Sequence, residues 1–221
     1  NYTYDGSLAG LLTLYARLLA EPAEVERISA VVADQQNLFS SEISIATDQA
    51  AAEEFWQRLT KRLSVNSLKL LRRCLLADHP QQERLIYHYL LLEAEQGRRI
   101  DGMLAHPRVA PVWKLSQQVA REAHRYLGFV RFQQVQGGLY YAAIRPDHRI
   151  LLLIGPHFAD RFADQQWIIH DQRHGEAILY DAEKKEWLLL PMELHAQPEA
   201  TLQEVQFQEL WRSYFSTLAI P

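Results

Sequence analysis

Cysteine is nearly absent from this chain of 221 residues, and its scarcity excludes several classes of site. Because Cys74 is the single cysteine, the chain alone can hold no intramolecular disulfide, no cysteine-rich zinc module and no iron–sulfur cluster bound by cysteines. Leucines flank Cys74, which is typical of a small buried side chain rather than a reactive thiol. We therefore expect Cys74 to be structural.

Glycine-rich phosphate loops are also missing, since neither the Walker pattern nor Gly-x-Gly-x-x-Gly occurs. No serine lies in the Gly-x-Ser-x-Gly motif of the α/β-hydrolases. Nine histidines are present, but there is no His-Glu-x-x-His pair, and their spacing does not favour a metal site. We therefore expect no cofactor and no bound metal.

Long apolar runs are lacking as well. The most apolar stretch, Ile150 to Ile154, is much shorter than the roughly 18 residues of a membrane span. The first seven residues lack the basic and apolar regions of a secretory signal. The sequence therefore predicts a cytoplasmic protein without membrane contact.

The net charge of −4 is unevenly distributed. Residues 105–175 hold nine basic and five acidic residues, whereas residues 176–221 hold three basic and eight acidic residues. Residues 55–77 contain basic residues and no acidic one. We call this stretch the basic window, and its candidate nucleic-acid-binding residues are Arg58, Lys61, Arg62, Lys69 and Arg72. On helices they would lie opposite an apolar face, with Trp56 available for stacking on a base; the alternative is an ordinary solvated surface.

Helices are predicted where apolar residues recur every three or four positions. The predicted helices run from Leu8 to about Pro22, from Asp48 to Leu63, from Asn66 or Ser67 to Ala77, from Pro80 to Gly97, and from Val112 to Gly128. Ser7 and Asp48 are suited to cap two of these helices at their beginning, and Gly97 is suited to end another. The segment from Arg98 to Pro111 is the best candidate for a linker.

Strands are predicted after Gly128, where the apolar period changes. They cover residues 129–135, 139–144, 150–154, 167–171, 177–181 and 187–190, with a short helix over 157–163 and a last helix over 202–218. Short connections favour antiparallel pairing. The predicted fold class is α+β: a mainly helical region, 1–104, and a region, 105–221, with an antiparallel sheet of about five strands packed on helices. These regions form two domains or one integrated domain.

Two arrangements in the second half are candidates for chemistry. Arg131 follows Val130 near the predicted sheet core, where a guanidinium needs a partner such as Glu122, Asp171 or a ligand anion. The alternative is a structural ion pair. The other arrangement is His157-Phe158 with Arg161-Phe162, which is consistent with a helix that turns one polar face toward a groove or with a plain surface helix.

Four segments carry a family resemblance. They are Tyr4 to Ser7, Glu122 to Phe132, His157 to Asp171, and Trp211 to Phe215. Together they resemble a bacterial family of DNA metabolism or DNA repair proteins that has no assigned activity. The resemblance implies a radical SAM protein as partner and, in some relatives, fusion to a uracil-DNA-glycosylase-like domain. It also implies a basic tail after the last segment, whereas this chain stops at Pro221.

The resemblance leads to two functional hypotheses. The first is an accessory factor that binds DNA and the radical SAM protein, with a uracil-DNA-glycosylase-like protein as a further partner; one cysteine places the radical chemistry on the partner. The alternative is a nucleic-acid-processing enzyme, a hydrolase or glycosylase-like protein. Its candidate acid–base groups are Glu122, His124, His157 and Asp171, and its candidate phosphate-binding groups are Arg131 and Arg161. We expect these six side chains to face a common groove.

Overall fold

A computed structural model describes residues 1–30, 42–97, 99–135 and 138–193. The chain divides into two compact units, Asn1–Ala120 and Arg121–Pro221. The helix predicted over 202–218 lies outside the described residues. Within the described ranges, no helix combines the length and the apolar character needed to cross a membrane.

Helices make up most of the N-terminal unit. They are α1 (Leu8–Ala20), α2 (Gln49–Arg62), α3 (Val65–Leu75), α4 (Gln82–Gln96) and α5 (Ala110–Phe129), the last of which continues past the unit boundary. As predicted, Ser7 and Asp48 accept hydrogen bonds from the first-turn amides of α1 and α2, at 2.9 and 3.0 Å. The start of α3 differs from the prediction, because Ser64 accepts from Ser67 N at 3.0 Å and so begins the helix earlier. Gly97 ends α4 with a φ of 60°.

A small parallel sheet accompanies these helices. Its order is β2 (Ile28–Ala30), β1 (Tyr2–Tyr4) and β3 (Ile43–Ser44), with β1 in the centre. Strand β2 has only three residues, which is too short for a sequence pattern to identify it.

The core of the N-terminal unit surrounds large buried side chains. Tyr15, Tyr87 and Tyr89 are at most 1% exposed, and Cys74 is fully buried. The Cys74 thiol donates to the carbonyl of Val112 at 3.2 Å, and burial raises the pKa of the thiol to about 12. The thiolate that reactive cysteines require is therefore disfavoured, which confirms the structural interpretation of Cys74.

A five-stranded sheet organises the C-terminal unit. Its order follows the chain: β4 (Gln133–Gln134), β5 (Tyr140–Ile144), β6 (Trp167–Asp171), β7 (Glu176–Asp181) and β8 (Glu186–Pro191). The neighbouring pairs are antiparallel except β5 and β6, which run parallel. The α+β prediction is confirmed, with a mixed and mostly antiparallel sheet.

The parallel pair depends on α6 (Leu151–Arg161), which connects β5 to β6. The prediction of a strand over 150–154 is wrong, because Leu151 to Ile154 form the first turn of this helix. Leu151, Ile154 and Phe158 are buried at helical spacing, whereas Leu152 is 43% exposed. Five consecutive apolar residues are compatible with both a strand and a buried helix turn, so periodicity could not separate them.

The end of α5 also corrects the prediction. Gly128 lies within the helix, which continues to Phe129, and the strand predicted over 129–135 is reduced to the two residues of β4. Gly128 does not have a positive φ, so it does not form the left-handed residue that ends many helices. Gly138 has a φ of 80° in the connection from β4 to β5, which pair antiparallel.

Candidate nucleic-acid interface

A pocket of about 400 Å³ opens in the C-terminal unit between the end of α5, α6 and strands β5 and β6. We call it the arginine–aromatic pocket. Its lining includes two guanidinium groups, five aromatic rings and one amide, from Arg131, Arg161, Phe132, Tyr140, Phe158, Phe162, Trp167 and Gln165. Its volume is within the usual range of small-molecule sites.

The sheet and α6 position the aromatic rings. The parallel register places Tyr140 beside Trp167. Phe158 lies on α6 and Phe162 follows its last residue, and both rings make edge contacts with Phe132, with ring centroids 5.6 and 5.3 Å away. Phe158 and Trp167 are buried, whereas Phe132, Tyr140 and Phe162 are partly exposed. The partly exposed rings are therefore the ones that a ligand can reach.

The two arginines of the pocket are held without a carboxylate. Arg131 donates from Nη1 to the carbonyls of Gly128 at 2.6 Å and Val130 at 3.1 Å, so the end of α5 holds its guanidinium. Arg161 lies over the ring of Phe162, with its guanidinium carbon 5.7 Å from the ring centroid. Neither arginine forms an ion pair with any carboxylate in the part of the chain that the structure describes. Both positive charges are available to an anion.

The buried indole of Trp167 adds a polar group beside this pocket. Trp167 is 1% exposed and stacks on Tyr180, with centroids 5.1 Å apart and an interplanar angle of 11°. Its Nε1–H has no hydrogen-bond partner among the described residues. A buried donor without an acceptor costs free energy that a bound acceptor would recover.

Glu122 and Asp171, two of the candidate acid–base groups, lie in a different environment. The Glu122 carboxylate is buried and accepts from the backbone N–H groups of Asp147 at 2.7 Å and His148 at 2.9 Å. Asp171 is fully buried and accepts from the N–H groups of Arg173 and His174 and from Nδ1 of His174, the last at 2.6 Å. Both carboxylates therefore hold turns of the backbone in place.

The structure does not bring the six predicted residues into one groove. Arg131 and Arg161 line the arginine–aromatic pocket, whereas Glu122 and Asp171 bind the turns described above. His124 is exposed on α5, and His157 on α6 makes an edge contact with Phe158 at 5.1 Å between centroids. Of the partners considered for Arg131, neither Glu122 nor Asp171 binds it: Arg131 donates to backbone carbonyls at the end of α5, and Glu122 accepts from backbone N–H groups before α6.

The basic window has the predicted amphipathic arrangement in the N-terminal unit. The apolar side chains of the predicted inner face, Phe55, Leu59, Leu63 and Leu71, are buried, and the basic side chains are mainly exposed. Acidic residues from outside the window nevertheless reduce its charge. Arg62 pairs with Glu93 at 2.9 Å, and Arg58 lies 3.9 Å from Glu54. Lys61 and Arg72 are exposed, and Lys69 lines a separate pocket.

Metal coordination has no candidate in the described ranges. No group of three or more histidine, cysteine, aspartate or glutamate side chains there is arranged to hold an ion.

Sequence reasoning missed Tyr140, Trp167 and Gln165 as members of the pocket. Arg161, Phe158 and Phe162 were visible in the alternation of His157-Phe158 with Arg161-Phe162, and Arg131 was a separate candidate beside the predicted sheet core. Tyr140 and Trp167 come together only through the parallel pairing of β5 with β6, which no local pattern indicates.

Comparison with known proteins identifies a family. The model of the family described as "Domain of unknown function (DUF4130)" matches residues 80–221, which is more than half of the chain. The chain therefore belongs to this family. No curated protein and no solved structure matches the chain.

Proposed function

We propose that this family member is an accessory protein of DNA metabolism that binds single-stranded nucleic acid through the arginine–aromatic pocket and acts with a radical SAM partner. The observation that carries the proposal is the pair of guanidinium groups, Arg131 and Arg161, without carboxylate partners beside partly exposed rings. A nucleotide presents the same two features in complementary form, a flat base and an anionic phosphate.

The chemistry of the pocket fits an unpaired nucleotide. Base stacking on an aromatic side chain contributes about 1–3 kcal/mol per base and requires the base to be out of a duplex stack. Phe132, Tyr140 and Phe162 offer such surfaces. Guanidinium groups bind phosphate with paired, charge-assisted hydrogen bonds. Gln165 adds an amide that can donate to and accept from a base edge.

Partner recognition is proposed from the family resemblance and from cysteine content. The segments of residues 122–132 and 157–171 that carry the resemblance to DNA metabolism proteins also supply most of this pocket. A radical SAM reaction requires a cysteine-bound iron–sulfur cluster, and one cysteine cannot hold it. The cluster therefore belongs to the partner, and this chain supplies substrate binding. A uracil-DNA-glycosylase-like protein is a further partner in this proposal.

The surroundings of the two candidate carboxylates favour an accessory role over a catalytic one. Glu122 and Asp171 are almost fully buried, and each accepts two backbone hydrogen bonds. Carboxylates in such surroundings are poorly placed to exchange protons with a substrate, which requires direct reach or one bridging water.

The proposal is tested by the salt dependence of binding to a fluorescein-labelled oligothymidylate. For single strands, the logarithm of the binding constant falls against the logarithm of the salt concentration with a slope of about −0.7 per phosphate contact. We expect the double variant Arg131→Gln/Arg161→Gln to bind more weakly and to have a slope shallower by about 1.4, which is the loss of two contacts.

The matched control is Arg121→Gln, which removes the same charge from an exposed position of α5 outside the pocket. The double variant and the control should both unfold at the temperature of the unmodified chain. If the control shifts the slope as much per charge as the pocket variant does, binding is a property of the general surface and the pocket proposal is overturned.

A further inference from the structure

A second pocket, of about 370 Å³, lies in the N-terminal unit between α3, α5 and the segment 99–109. We call it the Asp101 pocket and define it by Lys69, Arg73, Tyr89, Asp101, Trp113 and Gln117. The function proposed above does not use it. Most of these residues face one another from two helices: Lys69 and Arg73 are four positions apart on α3, and Trp113 and Gln117 are four positions apart on α5.

The base of this pocket holds a carboxylate in a fixed position. Ser64 and Ser67 both donate hydroxyl hydrogen bonds to Asp101. The hydroxyls of Ser67 and Tyr89 are 2.9 Å apart, and burial raises the pKa of Tyr89 to about 12, so its hydroxyl stays protonated. A carboxylate has about four lone-pair directions, and the serines use two. Asp101 can therefore accept further N–H donors from a ligand.

The rim of the pocket combines positive charge with an apolar surface. Lys69 is exposed and Arg73 is half-buried, and neither is in an ion pair among the residues described. Trp113 is 36% exposed, so part of its indole surface is accessible to a ligand. Two cations, an accessible indole and a fixed acceptor thus surround one cavity.

We infer that the Asp101 pocket binds a nucleotide whose base carries an exocyclic amino group. Trp113 stacks on the base, Lys69 and Arg73 bind the phosphate, and Asp101 accepts from the amino group. Gln117 supplies an amide for the remaining base edge. Thymine has no exocyclic amino group, and its one base-edge donor, N3–H, lies between two carbonyl oxygens that a carboxylate repels. The site therefore discriminates between bases with an exocyclic amino group and thymine.

Calorimetric titration of the full chain with dAMP and dTMP tests this assignment. We expect dAMP to bind at least tenfold more tightly than dTMP, because the adenine amino group donates to the remaining lone pairs of Asp101, whereas thymine turns carbonyl oxygens toward the carboxylate. Lys69→Gln/Arg73→Gln should weaken the binding of both nucleotides, and Trp113→Leu should do the same. Asp101→Leu should remove the preference between them.

The control is Lys114→Gln, an exposed position of α5 next to Trp113 that does not line the pocket. It should bind dAMP as the unmodified chain does, as should Arg131→Gln/Arg161→Gln in the other unit. Asp101 also accepts hydrogen bonds from two serines, so the binding result for Asp101→Leu is interpreted only if this variant unfolds cooperatively on heating. Lys69→Gln/Arg73→Gln and Trp113→Leu test the site independently of that result.

The source of the nucleotide is decided by repeating the titration with oligo-dA and oligo-dT. A preference for oligo-dA that disappears in Trp113→Leu assigns the site to a base within a strand. Binding of dAMP without such a preference assigns it to a free nucleotide. Absence of dAMP binding, equal affinity for dAMP and dTMP, or binding unaffected by Lys69→Gln/Arg73→Gln and Trp113→Leu overturns the inference.

Discussion

His170 illustrates how a single buried side chain determines a response to pH. It is 1% exposed in β6, with Nε2 3.0 Å from the carbonyl oxygen of Met192 and Nδ1 2.8 Å from the hydroxyl of Tyr141. A carbonyl can only accept, so Nε2 carries the proton and the Tyr141 hydroxyl donates to Nδ1. Both nitrogens are therefore satisfied in the neutral ring, and burial lowers the pKa of His170.

Replacing Tyr141 with phenylalanine should expose the cost of this arrangement. Tyr141→Phe leaves the buried Nδ1 of His170 without its donor, and we expect the free energy of unfolding to fall by about 1–3 kcal/mol. Urea denaturation at neutral pH measures the change. Tyr140→Phe removes a hydroxyl from the preceding, half-buried residue of β5 and should have a smaller effect. Equal losses in both variants would contradict the role given to this hydrogen bond.

Acidification should destabilise the protein before its carboxylates titrate. The pKa values of His170 and His88 are both lowered in the folded state, in each case mainly by burial. As the pH falls through about 6.5, the unfolded chain gains protons that the folded chain does not bind, so the free energy of unfolding falls until the folded-state pKa is reached. Urea denaturation at about pH 7.5 and about pH 5.5 measures this loss.

The fall in the free energy of unfolding on acidification should be smaller in His88→Gln, because in this variant only His170 contributes to it. A protein that is equally stable at both pH values, or more stable at the lower one, would show that burial does not hold these rings neutral.

At the scale of elements, two glycines in helices have opposite requirements. A Cβ on Gly10 in α1 would lie 2.2 Å from Oδ1 of Asp5 and 2.8 Å from Oγ1 of Thr47. The Asp5 carboxylate accepts from Ser7 and Thr47 and so connects the start of α1 to the chain before α2. A Cβ on Gly128 in α5 would meet nothing within 4 Å. The same substitution therefore disturbs one helix and not the other.

We expect Gly10→Ala to lower the free energy of unfolding by about 1–3 kcal/mol, because the added methyl group displaces the Asp5 carboxylate. Gly128→Ala should raise it by up to about 1 kcal/mol, because alanine has the higher helix propensity and the space is open. Chemical denaturation of the two variants compares them directly. A change of the same sign in both would mean that the close contact at Gly10 does not control the stability of α1.

At the scale of the whole molecule, local signals predicted more of the fold than of the pocket. Ser7, Asp48 and Gly97 mark helix ends because capping depends on a few neighbouring residues. Strands β6 to β8 follow from their short spacing. The parallel pairing of β5 with β6 depends on the helix α6 between them, and the first apolar turn of α6 has no period that distinguishes it from a strand. The position of Tyr140 beside Trp167 follows from that pairing and was therefore not predictable either.

The charge of a surface is likewise not predictable from neighbouring residues in the sequence alone. The basic window contains no acidic residue in sequence, yet Glu93 from α4 binds Arg62 and Glu54 lies near Arg58. The pair of Arg58 with Glu54 is exposed and contributes little to stability, whereas Glu93 is buried; both carboxylates reduce the positive potential that a phosphate would meet. Among the described residues, by contrast, no carboxylate offsets the positive charge of the arginines in the arginine–aromatic pocket, because these arginines contact backbone carbonyls and a phenylalanine ring.

The small parallel sheet also bears on the order in which the chain folds. β1 pairs with strands that lie 26 and 41 residues further along, as counted from Tyr2 to Ile28 and to Ile43, whereas β7 and β8 pair across a turn of four residues. Long loops must be closed at an entropic cost before their strands gain any pairing energy, so the β1 sheet assembles late and the β7–β8 hairpin early. Until β2 and β3 arrive, both backbone edges of β1 are open templates for another chain, and self-association during synthesis is most probable in that interval.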